Sequence, residues 1–318
     1  MLKEGEKITM TKHSEFYFPS SDGKTSIHAE EWLPEGEIKA VLQIVHGISE
    51  YVGRYAPFAE FLNEHGFAVI GHDHLGHGKS VAEGAPMIYF GEEDGWKNVV
   101  DDVHKLRLMG GEKFPGVPYF IMGHSMGSFI TRTYLIRYPG EVSGAIIMGT
   151  GQQSPLLIAG GKLVAKMVGG KGGYDKTSDT VTNLAFGSYN KSFAPARTNF
   201  DWLSVNEENV DRYIADPLCG GDATVGLFRD MLGGLSFIRK QENVSKMDKA
   251  KPVLFISGDK DPVGDMGKGV KAAYETFKKA GVSDLSLKLY PGLRHEILNE
   301  REKQEIYDYI LGWLEKRI

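Results

Sequence analysis

The segment PYFIMGHSMGSFITRTYLIRYP, residues 118–139, constrains the fold more than any other part of the chain. An apolar run over 118–123 reads as a strand, and an amphipathic helical pattern over 127–139 stops at Pro139. Between them lies Gly123-His124-Ser125-Met126-Gly127, a G-x-S-x-G sequence at a strand-to-helix turn. In that context the pattern describes a nucleophile elbow. The two glycines remove side chains that would clash in so sharp a turn, and the serine hydroxyl is presented above the sheet edge. A serine that merely caps the helix would not require the glycine pair.

The rest of the chain repeats the strand–helix rhythm. EFYF (15–18) and SIHAEEWL (26–33) read as strands, the second alternating like a half-buried antiparallel strand. AVLQIV (40–45), FAVIGHD (67–73) and GAIIMG (144–149) suit strands buried on both faces. Helical spacing covers 55–65, with Phe58, Phe61 and Leu62 on one face and Gly66 as the stop. It returns over 96–110 through Val99, Val103, Leu106 and Leu108. KPVLFISG (251–258) and LSLKLYPG (285–292) are strands, with helices over 268–280 and 301–317. Such alternation predicts a mostly parallel central sheet flanked by helices. The rhythm breaks between 151 and 248, where helical, turn-rich and aromatic stretches follow one another. The expectation is a core formed by 1–150 and 249–318, with 151–248 inserted over the sheet as a mainly helical cap.

Composition narrows the function. The formal net charge is −5 and no Lys/Arg-rich block occurs, so nucleic acid finds no electrostatic footprint. One cysteine, Cys219, rules out an internal disulfide framework or a multi-cysteine metal site, and reads as a buried apolar residue. MLKEGEKITM is charged and lacks the apolar stretch of a signal peptide, and no run is long enough to span a bilayer. A cytoplasmic location is the expectation.

A serine hydroxyl is a weak nucleophile until a base takes its proton, and the base needs an acid to orient it. His295, in the loop after the last predicted strand, would project over the same sheet edge as Ser125. His46, His72, His74, His77 and His124 also lie near strand ends and read as locally hydrogen-bonded residues. The loop after the penultimate strand offers Asp259, Asp261 and Asp265. The order Ser…Asp…His suits this architecture. Met126 N–H, at a helix N-terminus, can stabilise an oxyanion, and Ile48 N–H, after Gly47 in IVHGISEYVGRY, is the candidate for the second donor.

Taken together and in order, HGISEYVGRY, GHDHLGHGKS, GHSMGS, GDKDPVG and PGLRHEILNE make the chain resemble an α/β-hydrolase of the monoacylglycerol lipase/lysophospholipase group. That wider set also holds S33-type serine peptidases. The resemblance covers most of the chain and is weakest in the cap. It implies Ser125 as nucleophile, Asp261 as acid, His295 as base, and Ile48 and Met126 as oxyanion donors. Glu50 and Arg54 match a Glu and an Arg of the family loop; their spacing of four equally suits a local ion pair.

The implied reaction is hydrolysis of carboxylic esters of lipid type through an acyl-enzyme, with no metal and no cofactor. A short-chain carboxylesterase and an S33-type aminopeptidase are the enzymatic alternatives, and a non-catalytic binding protein on the same scaffold is the other class. An aminopeptidase would need cap acids for a substrate ammonium, for which Glu207, Glu208 and Asp211 are candidates. Leu156, Leu157, Leu163, Val164, Met167 and Val168 either line an acyl slot, face lipid at a peripheral contact, or pack the cap on the core. Phe186, Tyr189, Phe193, Phe200 and Trp202 carry the same choice.

Overall fold

The computed structural model describes residues 12–318; MLKEGEKITM lies outside the described residues. Strands β1 (Lys12–Pro19), β2 (Ser26–Leu33), β3 (Ala40–Val45), β4 (Phe67–His72), β5 (Tyr119–His124), β6 (Gly144–Met148), β7 (Val253–Gly258) and β8 (Leu285–Tyr290) form one sheet. Its order is β1-β2-β4-β3-β5-β6-β7-β8. Only β1–β2 and β2–β4 are antiparallel; the other pairs are parallel. This is the α/β-hydrolase fold expected from the sequence.

Alternate residues of the apolar strands serve two cores, as the period-two pleat requires. Leu42, Ile44, Phe120, Met122, Ile146, Leu254 and Ile256 pack with α1 (Ala56–Glu64) and with the final helix, Lys303–Glu315. Val41, Val45, Ile121, Ala145, Ile147 and Phe255 pack on the other face with α2 (Gly95–Lys113), α3 (Met126–Arg137) and the helix Lys268–Ala280. Between β6 and β7 run α4 (Pro155–Gly172), α5 (Asp179–Phe186), α6 (Glu207–Ala215), α7 (Val225–Ile238) and α8 (Gln241–Val244). The helices after β7 are α9 (Lys268–Ala280) and α10 (Lys303–Glu315). Helix α7 packs on α4 on one side and on α2 and α3 on the other.

Three local expectations change. The helix after Ser125 is not amphipathic: every residue from Met126 to Ile136 is buried, because the sheet lies under α3 and α7 lies over it. In α2 the buried positions run Val99, Val103, Leu106, Gly110, and Leu108 turns outward at 44% exposure. Strand β2 is buried on both faces rather than one. Its polar positions are covered by partners: His13 bonds Glu30, Ser14 and Lys113 bond Glu31, and His28 lies between Asp73 and Glu15.

The topology also places the site. From β3 the chain turns one way to β4 and then crosses back to β5 on the other side, so the β3 and β5 carboxyl ends flank a topological switch point. Open α/β sheets bind ligands in the crevice at such a point. Here the paired ends are Val45 and Gly123.

Candidate active site

Ser125 follows β5 with φ 54° and ψ −123°, a conformation that a non-glycine residue holds only when its surroundings enforce it. Its N–H donates to Met148 O at 3.0 Å, and Ser128 returns two bonds to its carbonyl, N–H at 2.9 Å and Oγ–H at 2.6 Å. The side chain makes no capping bond to α3, which leaves the hydroxyl for other chemistry. The elbow glycines are required by space. A Cβ on Gly127 would overlap the carbonyls of Val45 and His46, and one on Gly123 would overlap Gly127 O and Thr131 Oγ1. A Cβ on Gly47 would stand 3.1 Å from that of Ser125 and 2.6 Å from Glu50 Oε1. The loop after β3 thus lies directly against the elbow. Met126 N–H, in the first turn of α3, is one of the donors a helix leaves unpaired.

Of the three candidate aspartates, one touches His295. Asp261 is fully buried and its Oδ2 lies 2.9 Å from His295 Nδ1. Ser257 Oγ donates to the same oxygen at 3.1 Å, and Val263 N–H donates to Oδ1 at 2.9 Å. These bonds fix the carboxylate, which in turn fixes the imidazole. Asp259 accepts from Gly292 N–H and serves a turn; Asp265 is exposed. His46, His74 and His77 are fully buried beside nearby backbone groups, as their local reading implied. His72, the last residue of β4, is instead fully buried with neither ring nitrogen hydrogen-bonded among the described residues. Burial depresses the pKa of all four. His72 and His77 are pushed down to about 3.

Glu50 and Arg54 pair at 2.7 Å, but as part of a larger buried cluster. Glu50 Oε1 accepts from Gly47 N–H at 2.6 Å and from Tyr55 O–H at 2.9 Å, and lies 3.2 Å from His124 Nδ1. Arg54 grips Glu296 through two 2.8 Å bonds, and Asn209 of α6 donates to Glu296 at 2.7 Å. His124 Nε2 faces the carbonyl of His295 at 3.2 Å. Both ring nitrogens of His124 therefore face acceptors, which only the imidazolium satisfies. Burial alone would lower the His124 pKa; the hydrogen bond and charge of Glu50 overcome it and raise the value. Burial would likewise raise the Glu50 and Glu296 carboxyls. The His124 bond and Arg54 charge hold Glu50 far below its ordinary value, and the Arg54 charge and bond lower Glu296. Two carboxylates, one guanidinium and one imidazolium leave the cluster neutral. Glu296, Asn209 and the role of His124 escaped the sequence reading. The one available signal was an acid directly after the predicted base, in Arg294-His295-Glu296.

Ser125, Ile48, Phe186 and Trp202 line two cavities at once. One, of about 500 Å³, is apolar, walled by Phe129, Leu157, Ile158, Val181, Phe228 and Leu232. The other, of about 370 Å³, is the more polar of the two, its walls including Glu50, His124, Asn183, Asn190, Asp222 and His295. The Trp202 ring stands 5.2 Å from that of His295. The aromatics thus divide: Phe186 and Trp202 stand between the two cavities, Tyr189 walls the apolar one, Phe200 lines the polar one, and Phe193 sits under Arg294 at 4.1 Å. Leu157 enters the apolar cavity and Val164 and Val168 pack half-buried. Leu156, Leu163 and Met167 face outward at 83%, 59% and 57% exposure. Cys219 is half-buried, and burial pushes its thiol pKa far up, so it is a poor nucleophile. No helix among the described residues is long and apolar enough to cross a membrane.

Known proteins resemble the chain along most of its length. Residues 36–302 match the family model described as serine aminopeptidase, S33. Monoacylglycerol lipase of Mycolicibacterium smegmatis is 28% identical over 96% of this chain and 99% of its own. Human monoglyceride lipase is 29% identical over 90% and 86%. The crystal structure of a thermostable carboxyl esterase from Bacillus coagulans, solved in complex with glycerol, superposes with a TM-score of 0.89 at 30% identity, covering 96% of this chain and 98% of that one. The chain belongs to the S33 serine aminopeptidase family of α/β-hydrolases, in the group that includes the monoacylglycerol lipases.

Proposed function

We propose that this carboxylic ester hydrolase cleaves monoacylglycerols through an acyl-enzyme on Ser125. His295, held by Asp261, takes the proton of the Ser125 hydroxyl as Oγ attacks the ester carbonyl. The N–H groups of Ile48 and Met126 hold the tetrahedral oxyanion. His295 then passes the proton to the departing glycerol oxygen, the C–O bond breaks, and the acyl group stays on Ser125. Water, deprotonated by the same imidazole, attacks the acyl-enzyme and releases the fatty acid.

The observation that carries this substrate class is the pair of unlike cavities meeting at Ser125. A monoacylglycerol has an apolar acyl arm and a small neutral alcohol joined at the ester. The apolar cavity suits the first and the polar cavity the second. The polar cavity is lined by the carboxylates of Glu50, Asp222 and Glu296 and by no lysine or arginine. Arg54, behind it, is saturated by Glu50 and Glu296. The one cation in its wall, the His124 imidazolium, is taken up by Glu50 and the His295 carbonyl. A phosphate-bearing alcohol, as in a lysophospholipid, would therefore enter with no free cation to receive it, whereas a glycerol would find hydrogen-bonding groups.

The aminopeptidase alternative loses its candidate anchors. Glu207 and Glu208 are exposed on α6 away from the cavities, and Asp211 pairs with Arg197 at 2.7 Å. In our reading 151–248 is the cap. Its helix α4 buries Ile158, Gly161, Ala165 and Gly169 inward and turns Leu156, Leu163 and Met167 outward, flanked by exposed Lys162 and Lys166. Such an apolar stripe beside lysines suits an anionic lipid surface.

The test compares kcat/KM for a 1-monoacylglycerol and a lysophosphatidylcholine of equal chain length, with p-nitrophenyl acetate as the short-chain reference. The monoacylglycerol should exceed the lysophospholipid by at least about tenfold, the effect of ~1.4 kcal/mol. Equal or faster lysophospholipid turnover would overturn the assignment of the polar cavity.

A further inference from the structure

His46 directly precedes the loop that carries the Ile48 N–H, yet it lines neither cavity. It is fully buried. Its Nδ1 lies 2.7 Å from the carbonyl oxygen of Gly47, and its Nε2 lies 2.9 Å from the backbone nitrogen of His74. These two partners leave no freedom in the tautomer. A backbone N–H can only donate, so Nε2 is the acceptor. A carbonyl can only accept, so Nδ1 carries the proton. His46 is therefore neutral, which agrees with burial depressing its pKa.

The carbonyl that His46 binds belongs to the Gly47–Ile48 peptide. In a planar trans peptide, C=O and N–H point in opposite directions. Fixing the Gly47 oxygen against His46 fixes the Ile48 N–H on the other side, where Ile48 and Ser125 line the cavities together. Gly47 N–H is held separately by Glu50 at 2.6 Å, so the peptide planes on both sides of Gly47 are tied down. The bond to the carbonyl also polarises the peptide and strengthens its N–H as a donor. Freedom in this loop would otherwise be large. Gly47 has no side chain, and Ser49 sits at φ 54° beyond it.

We infer that His46 is a positioning residue for oxyanion stabilisation: its Nδ1–H aims the Ile48 N–H, and the His74 backbone N–H sets its tautomer. The inference rests on the oxyanion role assigned to Ile48 above. No proton is exchanged with substrate; His46 acts through the orientation of one peptide.

Two substitutions separate the two bonds. In His46→Asn the amide nitrogen occupies the Nδ1 position and keeps the bond to Gly47 O, but the His74 N–H loses its acceptor. In His46→Gln the amide oxygen reaches the Nε2 position and keeps the bond to His74, but Gly47 O loses its donor. Each variant lacks one buried hydrogen bond, so a purely structural role predicts similar effects on both. Positioning predicts that H46Q lowers kcat on a p-nitrophenyl ester about 10- to 100-fold, with KM within about threefold, while H46N stays near wild type. The affinity of an alkyl trifluoromethyl ketone, whose hemiketal places an oxyanion in the same spot, should fall in H46Q by the same factor. Wild-type turnover in H46Q, or equal losses in both variants, would overturn the inference. Imidazole ¹⁵N NMR of the wild-type protein tests it without any variant: a proton on Nε2 of His46 also overturns it. Ser125→Ala, assayed alongside, tests the parent assignment separately. If that variant keeps its turnover, the proposed mechanism fails, whatever His46 does.

Discussion

Arg54 and Glu296 face each other through two parallel N–H···O bonds of 2.8 Å, although 242 residues separate them. Arg54 belongs to the loop carrying Ile48, and Glu296 is the residue after His295. This bidentate pair ties the loop proposed to hold the oxyanion to the loop proposed to hold the base. Asn209 adds a strut from α6 at 2.7 Å. Planar forked donors such as guanidinium hold a carboxylate in one orientation, which a lysine would not do.

Arg54→Met should therefore be more damaging than the loss of one ion pair suggests. It leaves Glu50 and Glu296 buried together without their shared cation, and breaking a buried pair in this way costs about 3–5 kcal/mol. Urea unfolding measures the loss. The sign of its pH dependence is also set. In the wild type both carboxyl pKa values are lowered, so their contribution to stability is present above the unfolded value of 4.5 and fades as pH falls. In the variant, burial raises them instead, so lowering the pH should narrow the gap between variant and wild type. A gap that widens in acid would contradict this electrostatic account.

His124 gives a second pH effect of opposite sign. Its folded pKa is raised above 6.5, so the stability from its imidazolium is fully present below pH 6.5 and is lost as pH rises through the folded value. Thermal melts of wild type and His124→Gln between pH 6 and pH 9, a span of about three units around the ordinary histidine value, should show the largest difference at the acid end. A difference that grows with pH would mean that the ring is neutral in the folded protein.

The elbow glycines carry a simpler expectation. Gly127→Ala puts a methyl group into the carbonyls of Val45 and His46. Backbone cannot yield as a flexible side chain can, so overpacking of about 1–3 kcal/mol or more is expected, and residual activity should fall with it. Gly160→Ala on α4, where nothing stands within 4 Å, is the matching control and should be neutral or stabilising. Similar melting temperatures for the two variants would argue against close packing at the elbow.

On α4, replacing Leu163 and Met167 by serine should weaken binding to anionic vesicles and leave hydrolysis of a water-soluble p-nitrophenyl ester unchanged. Sedimentation with vesicles and a soluble-substrate assay measure the two effects. Unchanged vesicle binding would remove α4 from the proposed lipid contact. Both side chains are more than half exposed, so little stability is at stake.

The parts of the molecule legible in the sequence are those where one local pattern has one physical solution. Strands β3, β5, β6 and β7 are short apolar runs, and each is buried along its full length. The G-x-S-x-G turn showed itself because no side chain fits at Gly123 or Gly127. Asp261 emerged from three aspartates through the resemblance, and geometry separates them by a single contact with His295. What stayed hidden depends on partners distant in the chain. Nothing near Glu296 points to Arg54, and the expected local pair of Glu50 and Arg54 was only half of that cluster. The alternating pattern of β2 misled because its glutamates are buried under ion pairs and hydrogen bonds from β1 and α2. Helix α3 looked one-sided because the helix that covers its outer face, α7, begins some 90 residues later.

The central claim is that Ser125 is the nucleophile of ester hydrolysis. Incubation with an alkyl fluorophosphonate, followed by peptide mass mapping, tests it most directly. The account predicts one adduct per chain, on the peptide carrying Ser125, with hydrolysis of monoacylglycerol lost in proportion to labelling. An adduct on another residue, or full labelling with activity intact, would contradict it.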